Sequence, residues 1–498
     1  MKKSEPYDFS KPTRQSYAAI LIIMYRLYKV IIKQLIPVFV VLLFKGEAMK
    51  SPWFIYSIII IAVIGAVYSI IAFFKYYFYI NGNKLVVEQG VFKKSKLEIP
   101  FDRIQSVNTE QNLIHQLFKV VKLNMDTAGS AGNELQLNAL DLTLASQLNE
   151  KILKHKSTSN KVSEVKATNE EKKIIFKLGI GQLLKVGITE NHIRSGGVLI
   201  FFFFYVFDSL EDFGVEILEK SESYMPIAQE LVQSLIVVLV VIILFAIVSF
   251  LISLTRTVLK FYNLHMYRKG EGFVIVSGLF NKKERAAKDE KIQSIRWSQN
   301  LLQKMSNIYE VLMKQAASQE VGEVKSFKVV GLTQNDVRLT QQYVFKEHYN
   351  ELNLIPLNSI NHYYFTRRLF IWSYIFLPII TMFYYFENFS GIGYTSFLYF
   401  LAIGSAYLSF KKKKFGLGNT LLRIDGGTFG RKSTAMPLFK IQNIKISETP
   451  FQRRRKLGSL TIYSASGSIK IPEIAIDMAK ELKNYLLLKV EISKEKWM

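Results

Sequence analysis

The chain has 498 residues and no cysteine, and its 65 Lys and Arg against 40 Asp and Glu give a formal net charge of +25. That length leaves room for about three domains, and the missing cysteine excludes disulfides, thiolate metal centres and cysteine nucleophiles. An apolar fraction of 49% and a mean hydropathy of +0.15, beside so basic a balance, point to apolar spans alternating with basic segments, as in a plasma-membrane protein with basic cytoplasmic parts.

Residues 1–27 are expected as a cytoplasmic N-terminus, and 1–17 lack the apolar core and cleavage site of a secretory signal. A span needs roughly 20 mostly apolar residues. The first hairpin, 28–75, pairs a marginal span containing Lys33, Gln34 and Pro37 with a charge-free one at 53–74. Module 1, 76–153, opens on Tyr76, Tyr77, Phe78 and Tyr79, which read as an interfacial aromatic belt. A polar, flexible linker is expected at 154–173. An amphipathic juxtamembrane helix follows at 174–194, on the spacing of Phe176, Ile180, Leu183, Leu184 and Ile188. The second hairpin, 195–255, joins a marginal span near 195–214 to an apolar one at 231–254. Module 2 (256–346), a linker (347–366), the third hairpin (367–410), module 3 (411–490) and a tail (491–498) complete the chain.

Orientation comes from charge. Residues 208–230 are acidic with Lys220 their one base, whereas Arg26, Lys29, Lys75, Arg194, Arg256, Lys260, Arg367, Arg368 and Lys411 to Lys414 flank the opposite ends of the spans. Lys and Arg resist translocation, so six spans place both termini in the cytoplasm.

A repeat follows each hairpin. Leu85 to Phe92, Phe273 to Phe280 and Leu422 to Phe429 share an alternating strand ending in Gly-x-Phe, with glycines Gly90, Gly278 and Gly427 and phenylalanines Phe92, Phe280 and Phe429. Fourteen residues after each glycine stands an Ile-Gln pair: Ile104 and Gln105, Ile292 and Gln293, Ile441 and Gln442. The glycine suits a turn of positive φ, with the phenylalanine expected to start the next strand. Leu123 with Met125, Val311 with Met313, and Leu460 with Ile462 form a later strand in the same register, and apolar residues at helical spacing close copies one and three. Copy two departs, with Ala287 and Lys288 where the others have Ile99 Pro100 and Met436 Pro437, and with a more polar end helix near 337–345.

This signature, directly behind paired spans, resembles the bacterial pleckstrin-homology-like domain family in its YdbT-like, multi-module membrane form. The resemblance implies an α+β membrane protein with six transmembrane helices in three hairpins. Each hairpin would be followed by a cytoplasmic PH-like β-sandwich or barrel capped by a C-terminal helix.

No catalytic motif is present: the six histidines are scattered, and Gly179 with Gly181 and Gly416 with Gly418 lack the rest of a nucleotide fingerprint. A non-enzymatic protein without cofactor or metal is therefore expected. Basic residues are the candidate contacts: Lys93, Lys94 and Lys96 after the first glycine; Arg103, Lys291 and Lys440 before each Ile-Gln; and Arg453, Arg454 and Arg455. Such clusters near a cytoplasmic leaflet attract anionic headgroups at about 1 kcal/mol per residue. The expected partners are these lipids and, for assembly, a smaller membrane protein carrying one related module or a second copy of this chain, but not nucleic acid. The expected place is the bacterial cell membrane, in envelope homeostasis or defence against membrane-active agents. The alternative is a transporter or transporter accessory subunit, disfavoured by the few ionisable groups in the spans.

Overall fold

The computed structural model describes residues 7–44, 52–127, 133–159, 173–190, 235–316, 326–387, 389–493 and 495. The chain forms two compact units, one of 1–168, 190–262 and 277–284, the other of 169–189, 263–276 and 285–498, so module 2 is divided between them.

The first unit begins with α1 (Ala18–Phe44) and α2 (Pro52–Phe74). They pack closely: the Tyr28 hydroxyl donates to the Ala62 carbonyl at 2.5 Å, and a Cβ on Gly65 would come within 2.6 Å of the Tyr28 ring. Strands β1 (Tyr77–Asn81), β2 (Lys84–Gln89) and β3 (Ser95–Pro100) form one antiparallel sheet. β4 (Ile104–Gln111), β5 (Val120–Thr127) and β6 (Asn133–Asp141) form a second, followed by α3 (Leu142–Ser159). Alternate residues of both sheets, including Phe78, Leu85, Ile99, Leu123, Met125 and Leu137, make the core, and Leu148 and Ile152 of α3 close it. Phe9 joins this core and Thr13 bridges to Phe78, so the N-terminal segment is folded onto module 1.

Further along are β7 (Ile174–Lys177), α4 (Ile180–Thr189), α5 (Leu235–Phe261), β8 (His265–Arg268), β9 (Gly272–Ser277) and β10 (Lys282–Lys288). The second unit continues with β11 (Ile292–Gln299), β12 (Tyr309–Gln315), β13 (Ser326–Leu332) and α6 (Gln334–Phe345). After β14 (Asn358–Ser359), α7 (Tyr363–Tyr385) and α8 (Phe389–Lys412) form a hairpin in which the Ser373 and Tyr399 hydroxyls are 2.6 Å apart. Module 3 supplies β15 (Lys414–Leu417), β16 (Leu421–Gly426), β17 (Arg431–Pro437), β18 (Ile441–Ser447), β19 (Leu457–Ser464), β20 (Gly467–Ala475) and α9 (Ile476–Ile492). Its core gathers Phe415, Leu422, Met436, Leu460, Ile462 and Ile471 with Ala479 and Leu486 of α9.

Among the described residues four helical segments are long and apolar enough to cross a membrane: Tyr56–Phe74, Ile243–Phe261, Tyr363–Tyr385 and Phe389–Lys412. α1 is helical but carries Arg26, Lys29 and Lys33, and the expected span at 195–214 lies outside the described residues.

Three local expectations are corrected. Tyr76 to Tyr79 are no interfacial belt: they lead into β1, with Phe78 fully buried and Tyr76 nearly so. The apolar period of 174–191 divides into β7, which pairs with β8, and α4, whose Leu183 and Val186 are buried. Gly331 on β13, at φ +79°, leaves the space that Leu178 and Val186 fill, so these two serve the fold of module 2, while Ile180, Leu184 and Ile188 of the expected period are exposed. The supposed linker at 347–366 holds a helical turn, Tyr349–Leu354, and β14, which pairs with β15.

The modules are joined by strands. In the first unit β4 pairs antiparallel with the start of β10, Gln111 opposite Lys282, Glu110 opposite Lys283 and Thr109 opposite Glu284. In the second unit β11 pairs with β17, Gln299 opposite Arg431 and Ile295 opposite Ala435. Both joints use the same register: the residue seven after the repeat isoleucine faces the residue four after the repeat glycine. The second joint makes a single seven-stranded sheet, β13-β12-β11-β17-β16-β15-β14.

Candidate lipid-facing site at the module joints

Each repeat glycine is required by its turn. Gly90, Gly278 and Gly427 have φ of +119°, +106° and +115°, and a Cβ there would lie 1.9, 2.2 and 2.7 Å from the carbonyl oxygen three residues on. The turn consumes more chain than the sequence suggested. The next strands start at Ser95, Lys282 and Arg431, and the phenylalanines are displayed on the turn instead of starting a strand, Phe92 being 93% exposed, Phe280 47% and Phe429 59%.

In every copy this turn sits at the end of an apolar helix. Phe92 stacks on Tyr68 of α2, centroids 6.3 Å apart. The Gly278 N–H donates to the Tyr262 carbonyl just past α5, at 2.9 Å, and Leu279 N–H to Leu259 within it, at 3.0 Å. Lys412, the last residue of α8, donates from Nζ to the carbonyls of Thr428, Phe429 and Gly430 at 2.6 to 3.1 Å.

A second repeated feature lies beside it. One-turn helices Leu113–Leu117, Leu301–Met305 and Pro450–Arg454 follow caps Asn112, Asn300 and Thr449, whose side chains accept from the third N–H beyond them. They expose apolar side chains: Leu113 and Leu117, then Leu301, Leu302 and Met305, then Phe451. At the first joint Gln116 Nε2 donates to the Leu279 and Phe280 carbonyls at 3.0 and 3.3 Å. At the second, Gly430 sits so close to Gln299 and Asn300 that a Cβ would be 2.0 Å from the Gln299 oxygen. The glycine turn of one module is thus held against the one-turn helix of the module before it, and the two present one exposed apolar lip. Contiguous exposed apolar surface of this kind marks a lipid or protein contact. An apolar groove of about 650 Å³ between α1 and Leu113–Leu117, rimmed by Lys29 and Lys33, extends the lip of the first joint.

Cations accompany the lip of the second joint. Residues opposite one another on paired strands share a sheet face. The pairs Ser294 with Lys314, Arg296 with Leu312 and Thr434, and Lys432 with Ser298 and Gly426 therefore place Lys314, Arg296 and Lys432 on one face of the shared sheet. Lys413, the residue after α8, lies over Gly426, with its Cδ 3.4 Å and its Nζ 3.8 Å from where a Cβ would stand. The acid on this face, Glu310, is paired with Lys328 at 2.8 Å. Burial, then the neighbouring cations, push the Lys314 and Lys413 ammonium groups below their ordinary range. Burial and Arg296 do the same to Lys432, and burial lowers Arg296 despite Glu310. Like charges held together in partial burial favour an anion among them.

The sequence-derived candidates are dispersed. Arg103 is exposed between β3 and β4, Lys93 and Lys94 stand on the first turn, and Lys96 on β3 is ion-paired with Glu98 at 3.1 Å. Lys291 is half-buried, whereas Lys440 is 3% exposed and donates to the Glu290 carbonyl, so its charge serves a contact between modules 2 and 3. Arg455 lies over the Tyr363 ring at 4.4 Å, Arg453 sits 3.9 Å from Glu448 and Arg454 is exposed. Ile104, Ile292 and Ile441 are core residues, Gln293 is buried and Gln442 exposed. Arg296 and Lys314 were not legible as site residues, because only the pairing of β11 with β12 and β17 brings them beside Lys413 and Lys432. Among the described residues no group of three His, Asp or Glu could hold a metal.

The three-fold signature, with its glycine turn and its strand joints, coincides with three matches to the family described as bacterial PH domain, over residues 31–156, 216–347 and 364–490. The chain belongs to this family. It is also 23% identical over 422 residues to the transmembrane protein YdbT of Bacillus subtilis (strain 168), covering 81% of each chain. Family membership accounts for the repeat, and YdbT for its company with apolar helices.

Proposed function

We propose that this is a non-enzymatic, multi-pass membrane protein whose PH-like modules lie on the cytoplasmic leaflet, seated by their joints and binding anionic headgroups there, and serve as an assembly surface. The observation that carries the reading is the placement, in all three copies, of an exposed phenylalanine on a turn in contact with the end of an apolar helix, accompanied at the second joint by cations on the shared sheet. An apolar wedge with basic neighbours at a helix end is the chemistry of an interfacial lipid contact. The orientation rests on the basic residues that flank the module-bearing ends of the spans.

The test is lipid retention by the purified full-length protein, counted by native mass spectrometry in phosphatidylglycerol and phosphatidylcholine. At about 1 kcal/mol for each cation near the surface, Arg296→Ala with Lys413→Ala weakens phosphatidylglycerol retention about 30-fold, with phosphatidylcholine unaffected. Equal retention of the anionic lipid by wild type and variant would refute the reading.

A further inference from the structure

The two joints identify what the β4-type strand of a module receives: the β10-type strand of the next. In module 3 the equivalent strand, β18, is the edge of its sheet among the described residues, with β19 its one neighbour. Gln442, Asn443 and Lys445 on it are exposed. Such an edge presents unpaired backbone N–H and C=O groups. We propose that β18 receives, in the same register, the post-glycine strand of a PH-like module belonging to a different protein.

The register of the joints sets the chemistry of that strand. Seven residues beyond Ile441 stands Glu448, where the internal joints have Gln111 and Gln299 opposite Lys282 and Arg431. A carboxylate at that place selects a basic first residue. Ile444 and Ile446 take the places of Ile295 and Trp297, which face Ala435 and Ser433 of β17. The internal joints differ at the third place of the incoming strand, Glu284 at the first and Ser433 at the second, and share an alanine at the fifth, Ala286 and Ala435, so a small fifth residue would let the backbone approach.

A second copy of this chain fits poorly. Its free strand is β3, the outer strand of the first sheet among the described residues. Where β17 has Ser433 and Ala435, β3 has Lys96 and Glu98, which are ion-paired to each other at 3.1 Å, with Lys84 on Glu98 at 3.3 Å. Charges set on an edge in this way discourage strand addition. The array is therefore blunt at module 1 and receptive at module 3. This inference rests on the reading of the modules as an assembly surface, and it is tested without lipid so that either can fail alone.

The absence of cysteine makes disulfide trapping clean. Full-length protein carrying Lys445→Cys is mixed with a peptide of residues 428–437 in which Cys replaces Thr434, the residue opposite Arg296 in β17. A disulfide is expected, and moving the peptide cysteine to the Ser433 position lowers its rate about tenfold, since a one-residue slip turns the thiol to the other face. A peptide of residues 93–100 with Cys at 97 is expected to react no faster than this shifted control. Equal trapping of all three peptides would overturn the docking register. Interchain disulfides in the detergent-purified Lys445→Cys, Leu97→Cys double variant would overturn the occupant and assign the edge to a second copy. Lys445 is exposed, so unfolding of the variant at the wild-type temperature confirms that the edge under test is intact.

Discussion

Gly427 and Gly82 both have positive φ, yet they are not equivalent. A Cβ on Gly427 would be 2.7 Å from the Gly430 carbonyl, whereas nothing lies within 4 Å of one on Gly82. Gly427→Ala is therefore expected to cost about 2 kcal/mol or more and Gly82→Ala about 1 kcal/mol, read from thermal unfolding. Buried Glu473 is fully enclosed and meets Arg367 at 2.7 Å, at an angle that leaves both carboxylate oxygens without a well-formed hydrogen bond. Arg367→Ala leaves a buried carboxylate without its cation. Because Arg367 is itself about a third exposed, a loss of about 2 kcal/mol is expected, less than for a fully enclosed pair. At this scale the glycine of the repeat was legible, since its need for positive φ is local. The phenylalanine beside it was misplaced, since a sequence does not show how much chain a turn consumes before the next ladder begins.

Strands explain where the basic residues after each glycine go. Lys282 and Lys283, Arg431 and Lys432 enter the inter-module ladders, so part of the positive charge that reads as membrane attraction holds modules together. Burial pushes the Glu110 carboxyl up, but the Lys283 ammonium at 3.1 Å outweighs it and holds Glu110 below its ordinary 4.5. A carboxylate lowered on folding contributes stability above its unfolded pKa and loses it as pH falls through the folded value. Glu110→Gln should thus destabilise the first unit by no more than about 1 kcal/mol at pH 7, since the pair is about one third exposed. That difference should vanish in thermal melts taken well below pH 4.5. Strand alternation located β2, β5 and β19 from sequence. β1 and β7 were read otherwise, because an aromatic run beside a span and a short apolar period next to a helix each fit two structures until tertiary pairing decides.

At the scale of the whole molecule, the sequence shows three copies behind apolar helices but not how the copies are linked, since a joint is formed by residues about 170 positions apart at the first and about 130 at the second, and neither segment alone shows that it pairs with the other. The second joint brings together a lip of exposed apolar residues and a cationic sheet face that no single segment contains. The central claim, that this lip enters the bilayer interface, is tested most directly by spin labels on single cysteines replacing Phe280 and Phe429 in vesicles of phosphatidylglycerol and phosphatidylcholine. A label at Ser468, exposed near the start of β20, gives the aqueous reference. Labels at 280 and 429 should collide with dissolved oxygen more than with a water-soluble nickel chelate, reversing the order found at 468. The same preference for the chelate at all three positions would contradict the account.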